Sequence, residues 1–268
     1  TQLGQHDALY AESVSLFPKM DHGGPNEHIF GVEQAKKAVS IPLIASLNAV
    51  NESTWLEYAK ALAQTGVDGL ELNFYSPPLN PETTALEIES RELETFAKIR
   101  EAVDIPIAVK LHPYYTNLFN VGTEFSKLGA DALILFNRLF QPNIDIDKRT
   151  EKQGMSLSRS ADSFFSLRWI GLLHQRVQSD LIGGTGVLNS EDVIKMILAG
   201  ANAVQVVSAL YKNQVSHIGQ MLTDVSNWID EKGYTKLEDF KGKVSEKNIK
   251  DPWAFERGQY IKALIGFD

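Results

Sequence analysis

The chain has no cysteine among its 268 residues, so it forms no disulfide, no Cys-ligated zinc site and no iron–sulfur cluster of its own. It also lacks any apolar run near the roughly 18–20 residues of a membrane-spanning helix, and it shows no signal-peptide pattern. Positive charge is scarce. Lys and Arg number 26 against 34 Asp and Glu, a formal charge of −8 with a pI near 5.3, the wrong field for gathering nucleic acid. What is left is a protein acting on a small-molecule substrate, without nucleic acid or membrane, and cytoplasmic by default.

What the chain does have is length and alternation. It suits a single α/β domain, since barrels of this class run to about 250 residues. Short apolar runs at Ile41–Leu47, Gly69–Phe74, Ile105–Leu111, Ala132–Phe136, Leu181–Gly183 and Ala203–Val207 predict strands. Between them, Trp55–Ala63, Glu87–Ala102, 121–128, 165–176 and Glu191–Ala199 read as helices. Unbroken apolar strands alternating with helices indicate βα units and a parallel sheet buried on both faces. Three junctions repeat: Thr65-Gly66-Val67-Asp68-Gly69, Leu128-Gly129-Ala130-Asp131-Ala132 and Ala199-Gly200-Ala201-Asn202-Ala203. Each sets a Gly at a helix C-cap ahead of a strand. This turn suits a (β/α)₈ TIM barrel, although a doubly wound sheet uses it too. Six strands are visible, two fewer than a closed barrel needs, and residues 1–40, broken by Gly23-Gly24-Pro25, offer no candidate. Further on, Val215–Lys232 reads as an amphipathic helix, the stretch from Thr235 to Asp251 as irregular, and Trp253–Leu264 as a final helix. One domain over residues 1–268 is expected, with residues 234–268 as a C-terminal extension docked on the barrel.

In a barrel the chemistry sits at strand C-termini and in the loops that follow them. Asn73 ends one strand, followed by Phe74, Tyr75, Ser76 and two prolines; its amide offers the donor and acceptor that a planar imide-like ring requires. Ser76 is either a positioned hydroxyl or a turn residue beside prolines. Lys110 stands among Ile107, Ala108, Val109 and Leu111. A lysine is almost never buried without a partner, which makes it a site candidate unless the strand is an edge or the side chain snorkels. A cation there could balance an anionic ligand. His112, beside Pro113, is left unassigned. Asn137 and Arg138 end the next strand, the second Asn at a strand end. Gly183-Gly184-Thr185-Gly186, paired with Val207-Ser208 after the last strand, has the form of a phosphate site built from backbone N–H groups. It marks a phosphate-bearing ligand without saying which.

Taken together these residues resemble the dihydroorotate dehydrogenase family. Glu71-Leu72-Asn73-Phe74-Tyr75-Ser76-Pro77 is similar to the family's Leu-Asn-x-Ser-Cys/Ser-Pro motif, and Lys110, Asn137 and the glycine turn at 183–186 fall on its later motifs. Gly233-Tyr234 and Asp239-Phe240-Lys241-Gly242-Lys243 resemble the tail of the soluble class. Phe136-Asn137-Arg138 and Phe255-Glu256-Arg257 look closest to the subgroup called dihydroorotate dehydrogenase-like proteins. The resemblance implies an FMN-dependent oxidation of dihydroorotate, or of a related dihydropyrimidine, to orotate in pyrimidine biosynthesis. Ser76 then falls on the base and Lys110 on the family's lysine. Asn73, Lys110, Phe136, Gly184, Thr185, Gly186, Val207 and Ser208 fall on flavin-binding positions. Asn73, Asn137 and Ser13 fall on substrate positions. Ser76 stands where the soluble class carries Cys, and Pro78 and Ser13 where substrate-binding Asn residues are found. The resemblance also implies an N-terminal segment with the first one or two βα units, absent from a chain that opens at Thr1. A homodimer is the expected assembly, with an electron-transfer partner allowed and fumarate, NAD or quinone as the acceptor. The competing expectations are a non-flavin phosphate-binding barrel, an isomerase or lyase, and a non-catalytic member of the family.

Overall fold

The structure, a computed structural model, describes residues 24–49, 51–75, 79–138, 143–152 and 156–256. Ser13, Ser76 and Pro78 lie outside the described residues. Helix α1 (Gly24–Ala38) leads into β1 (Ile44–Leu47), α2 (Glu52–Gln64), β2 (Gly69–Asn73), α3 (Ala85–Ala102), β3 (Ile107–Leu111), α4 (Leu118–Lys127) and β4 (Ala132–Leu135). A small hairpin follows, β5 (Asn143–Asp145) with β6 (Thr150–Lys152). The alternation then resumes with α5 (Ser163–Leu173), β7 (Asp180–Gly183), α6 (Ser190–Ala199) and β8 (Ala203–Val204). Helices α7 (Ser208–Asn213) and α8 (His217–Glu231) come last.

Among the described residues the main sheet has six strands in the order β1-β2-β3-β4-β7-β8, and every pairing in it is parallel. Chain order and sheet order agree, as consecutive βα units require. One contact decides between a flat sheet and a curled one. Gln205, just past β8, donates to Glu71 on β2 at 2.5 Å, although the two strands are four places apart in the sheet. A flat sheet would hold them roughly 19 Å apart at about 4.8 Å per strand. The sheet therefore curls into a barrel wall, and the fold is a (β/α) barrel with six strands described.

The strand pleat divides the core in two. Leu70, Leu72, Val109, Leu111, Leu133 and Leu135 point outward and pack under the helices with Phe96, Phe125 and Ile99. Ala108, Ala132 and Ile134 point inward with Ile182 as a separate, smaller cluster. The outward set is the larger store of stability, since each fully buried Leu, Ile or Phe contributes about 1.5–3 kcal/mol. The three repeated turns after α2, α4 and α6 hold Gly66, Gly129 and Gly200 at positive φ, where a helix can stop without a Cβ clash.

Several sequence expectations need correction. The Gly24-Pro25 pair begins a helix rather than breaking the chain, because a proline in the first turn gives up an N–H that has no helical acceptor anyway. Lys36 near the end of α1 bonds Asp68 at 2.5 Å, and Asp68 also accepts from the Leu43 N–H at 2.6 Å. These partners hold the Asp68 carboxyl below the usual range, the Lys36 hydrogen bond most of all. The run Ala203–Val207 is strand for only two residues, although the Gln205 N–H still reaches the Gly183 carbonyl at 2.7 Å. The stretch from Val215 begins its helix at His217, after the separate short α7. Trp253 sits in a single 3₁₀ turn, Pro252–Ala254, and not at the head of a longer helix within the described residues. The hairpin β5–β6 was not anticipated.

Candidate active site

Inward-facing residues at the strand C-termini form a polar layer above the small inner cluster. Glu71 and Asn73 alternate with the outward Leu70 and Leu72, and the register sets Asn73 beside Lys110. The Lys110 ammonium lies 3.3 Å from Glu71 Oε1, with side chains 18% and 8% exposed respectively. The same carboxylate accepts from Ser46 Oγ at 2.8 Å and from Gln205 Nε2 at 2.5 Å. Every donor is needed, because a buried carboxylate left unpaired costs several kcal/mol. Lys110 is thus a lumen residue with a partner, as its burial demands, and not an edge-strand lysine.

The two asparagines also meet. Asn137 Nδ2 donates to Asn73 Oδ1 at 2.9 Å, and Asn48 Nδ2 holds the Asn73 carbonyl at 2.8 Å. The Asn137 N–H donates to the Leu111 carbonyl at 2.8 Å, which extends the β3–β4 ladder by one step. Arg138 pairs with Asp162 at 3.4 Å and donates to the Ser156 carbonyl, and both Arg138 and Ser156 line the adjoining cavity.

Beside this layer is a cavity of about 190 Å³ lined by Lys110, Phe136, Asn137, Gln205 and Val207. Thr185, Gly186, Ser208 and the segment Ser156–Ser158 close its other side. The glycine turn is built tightly. The Gly184 N–H donates to the Leu135 carbonyl at 2.6 Å, and Thr185 Oγ1 donates to the Phe136 carbonyl at 2.8 Å. Thr185 and Gly186 both take positive φ, 65° and 75°. Successive N–H groups in such a turn converge on one point and make an anion cradle. Among the described residues, no hydrogen-bond acceptor meets the N–H groups of Thr185, Gly186 and Val187. Across the cavity, Ser208 Oγ accepts from the Ser158 N–H at 3.0 Å, and Lys212 Nζ holds the Ser158 carbonyl at 2.7 Å. A larger depression of about 630 Å³ beside Thr83 and Glu87 contains none of these groups.

His112 stacks on Tyr115 with ring centroids 3.9 Å apart, and its Nδ1 accepts from the Tyr114 N–H at 3.1 Å. Burial pushes its pKa down to about 4, so the ring is neutral near pH 7. Tyr115 in turn donates to Glu92 at 2.6 Å. Burial, the largest influence, lifts Glu92 to about 7 and drives the Tyr115 hydroxyl well up.

The structure gathers Asn73, Lys110, Phe136, Asn137, Gly184, Thr185, Gly186, Val207 and Ser208 around one region. The expectations for Ser76 and Ser13 fall outside the described residues. Glu71, Gln205, Ser46 and Asn48 were missed from sequence. The pleat would have found Glu71, which lies two residues from Asn73 on β2. Among the described residues no group of three or more His, Asp or Glu is placed to hold a metal, and no helix is long and apolar enough to cross a membrane.

Polar groups converging on the C-terminal ends of a parallel barrel mark a barrel enzyme. The chain belongs to the dihydroorotate dehydrogenase family, whose sequence profile matches residues 25–228. It is 31% identical over 209 residues to dihydroorotate dehydrogenase A (fumarate) of Lactobacillus helveticus, covering 76% of this chain and 68% of that protein. The catalytic subunit of dihydroorotate dehydrogenase B (NAD(+)) from Thermoplasma volcanium is 28% identical over 233 residues, 85% of this chain and 77% of its own. The corresponding subunit from Methanosarcina mazei is 29% identical over 267 residues, 91% of this chain and 85% of its own. The protein is an oxidoreductase of a flavin-dependent family that acts on CH–CH groups.

Proposed function

We propose that the protein is an FMN-dependent dehydrogenase that oxidises dihydroorotate, or a close dihydropyrimidine relative, to orotate in cytoplasmic pyrimidine biosynthesis. The observation that carries this reading is a single cavity in which Lys110 and Asn137 face the Thr185–Gly186 turn. The residues fit the phosphate end of FMN. Three N–H groups at 185–187 without a described acceptor form an anion cradle, and Ser208 stands opposite. At about 190 Å³ the cavity is smaller than the roughly 300–1,000 Å³ of a whole ligand site, which suits the phosphate and adjoining chain. The planar ring belongs beyond Lys110, toward the Asn73–Asn137 pair.

In this assignment Gly184, Thr185, Gly186, Val207 and Ser208 hold the phosphate and Phe136 packs on the cofactor. Lys110 offers a positive charge to the ring, and Asn73 and Asn137 orient a polar planar substrate, with Ser13 a further substrate contact. Ser76 takes up the proton leaving C5 of the substrate, through a water or relay because a serine hydroxyl is a poor base alone. FMN, when bound, supplies the acceptor for the hydride leaving C6. The assembly in this reading is a homodimer, and any iron–sulfur cluster in the electron path belongs to another chain because this one has no cysteine.

The test is an anaerobic titration of the purified protein with dihydroorotate, following the visible absorption band of the flavin. Bleaching in proportion to added substrate is the expected result. A colourless protein that cannot be reconstituted with FMN would instead make the cavity a phosphate site of a non-flavin barrel.

A further inference from the structure

We propose that Glu71 is a positioning residue for this reaction, fixing Lys110 and Gln205 at the cavity wall and setting the charge that wall presents. The inference rests on the reading of the cavity as a flavin site. Glu71 lies on β2 in the lumen, and its carboxylate touches residues from three other parts of the barrel wall. Ser46 on β1 and Lys110 on β3 donate to Oε1, at 2.8 and 3.3 Å. Gln205, just past β8, donates to Oε2 at 2.5 Å. Lys110 and Gln205 line the cavity, whereas Glu71 does not. It therefore acts through them.

Two consequences follow from the chemistry of a carboxylate. It accepts hydrogen bonds and donates none, so Gln205 must turn its Nε2 toward Glu71. The Gln205 Oε1 is then the end left for a ligand, and an acceptor stands near the ammonium donor of Lys110. Glu71 and Lys110 also form an ion pair inside the barrel, screened from water by side chains that are 8% and 18% exposed. The carboxylate offsets part of the charge that Lys110 presents at the cavity wall. Without the carboxylate, the Lys110 charge would face a ligand unopposed, and a ring that gains negative charge on reduction would be favoured more strongly.

The test compares wild type with Glu71→Gln and Glu71→Asp through two measurements other than turnover. The first is the labelling rate of Lys110 by an amine reagent in flavin-free protein, read by mass spectrometry against the exposed Lys60 and Lys148. Glu71→Gln is expected to raise labelling at Lys110 several-fold and leave the reference lysines unchanged. The second is the midpoint potential of the bound flavin in a reductive titration. It is expected to move positive in Glu71→Gln and to move less in Glu71→Asp, which keeps the charge but draws it back by one methylene. Should Glu71→Gln fail to fold, Glu71→Asp still decides, because a lengthened ion pair must raise Lys110 labelling above wild type. Unchanged Lys110 labelling and an unmoved potential in a protein that binds FMN would overturn the inference alone. A wild-type protein that binds no FMN would overturn the flavin reading and the positioning role with it.

Discussion

Replacing Gly186 by Ala tests the construction of the cavity most directly, because two separable costs meet there. Gly186 has φ +75°, and a Cβ at this position would stand 2.5 Å from the Ser163 N and 2.8 Å from the Arg159 carbonyl oxygen. Left-handed backbone costs a non-glycine residue roughly 1–2 kcal/mol. The contact adds roughly 1–3 kcal/mol, as insertions into packed regions do, since the atoms it meets are backbone and cannot rotate away. Gly66 separates the two costs. It has φ +82°, but nothing lies within 4 Å of its Cβ position, so Gly66→Ala carries the conformational cost only. Urea unfolding is expected to show a loss of about 3 kcal/mol in Gly186→Ala and about 1 kcal/mol in Gly66→Ala. Equilibrium dialysis with FMN should show weaker binding in Gly186→Ala alone, because the displaced turn carries the N–H groups of residues 185–187. Equal stability losses in the two variants would refute the claim that the turn is wedged against the Arg159–Ser163 backbone. Unchanged FMN affinity in Gly186→Ala would remove the turn from the cofactor site.

Ser76→Ala is expected to leave FMN bound and to slow anaerobic flavin reduction by about two to four orders of magnitude, the usual worth of a positioned base; stopped-flow kinetics at wild-type rates would exclude Ser76 from the mechanism. Lys110→Ala removes the cation and leaves the Glu71 carboxylate buried against Ser46 and Gln205. It should lower both stability and flavin affinity, and a variant matching wild type in thermal melting and dialysis would show the ion pair to be idle. Glu92, lifted to about 7 by burial from an unfolded value of 4.5, binds its proton more tightly in the folded protein. Its contribution to stability is complete below pH 4.5 and is lost as pH rises through about 7. Glu92→Gln, which still accepts from Tyr115, should therefore gain stability over wild type across that window, and a flat difference between the two unfolding curves would contradict the raised value.

The βα alternation was legible because it depends on local pattern: apolar runs of strand length and glycines at helix ends. Barrel curvature was not, since a turn such as Leu128-Gly129-Ala130-Asp131 serves an open sheet equally well. Curvature shows in a long-range pair, Glu71 with Gln205, separated by 134 residues. Helix α1 was missed because Gly24-Pro25 was read as a breaker, when its place at the first turn makes it a starter. The hairpin β5–β6 escaped for a different reason. Its two strands have three residues each, too few to show a period, and Ile144 and Ile146 are exposed, so no buried stripe marks them.

In the site, residues carrying a motif were found and residues carrying only a partner were not. Lys110 drew notice as a charge among apolar neighbours, yet Glu71 breaks the run Gly69-Leu70-Glu71-Leu72-Asn73 in the same way. The two anomalies explain one another once the register sets β2 against β3. This changes what Lys110 means. Read alone, it is a site candidate whose cation could balance an anionic ligand. In the structure its charge is already opposed by a carboxylate 3.3 Å away, so any ligand that draws on it must compete with Glu71. The two asparagines show the same coupling, since Asn137 commits one of its donors to Asn73, and in the proposed reading a planar substrate would meet the pair, not two independent amides. The polar layer of this barrel is therefore built of bonded pairs between strands, Glu71 with Lys110 across adjacent β2 and β3 and Asn73 with Asn137 across the ends of β2 and β4. Single substitutions at Lys110, Asn73 or Asn137 will report on the partner as much as on the residue replaced.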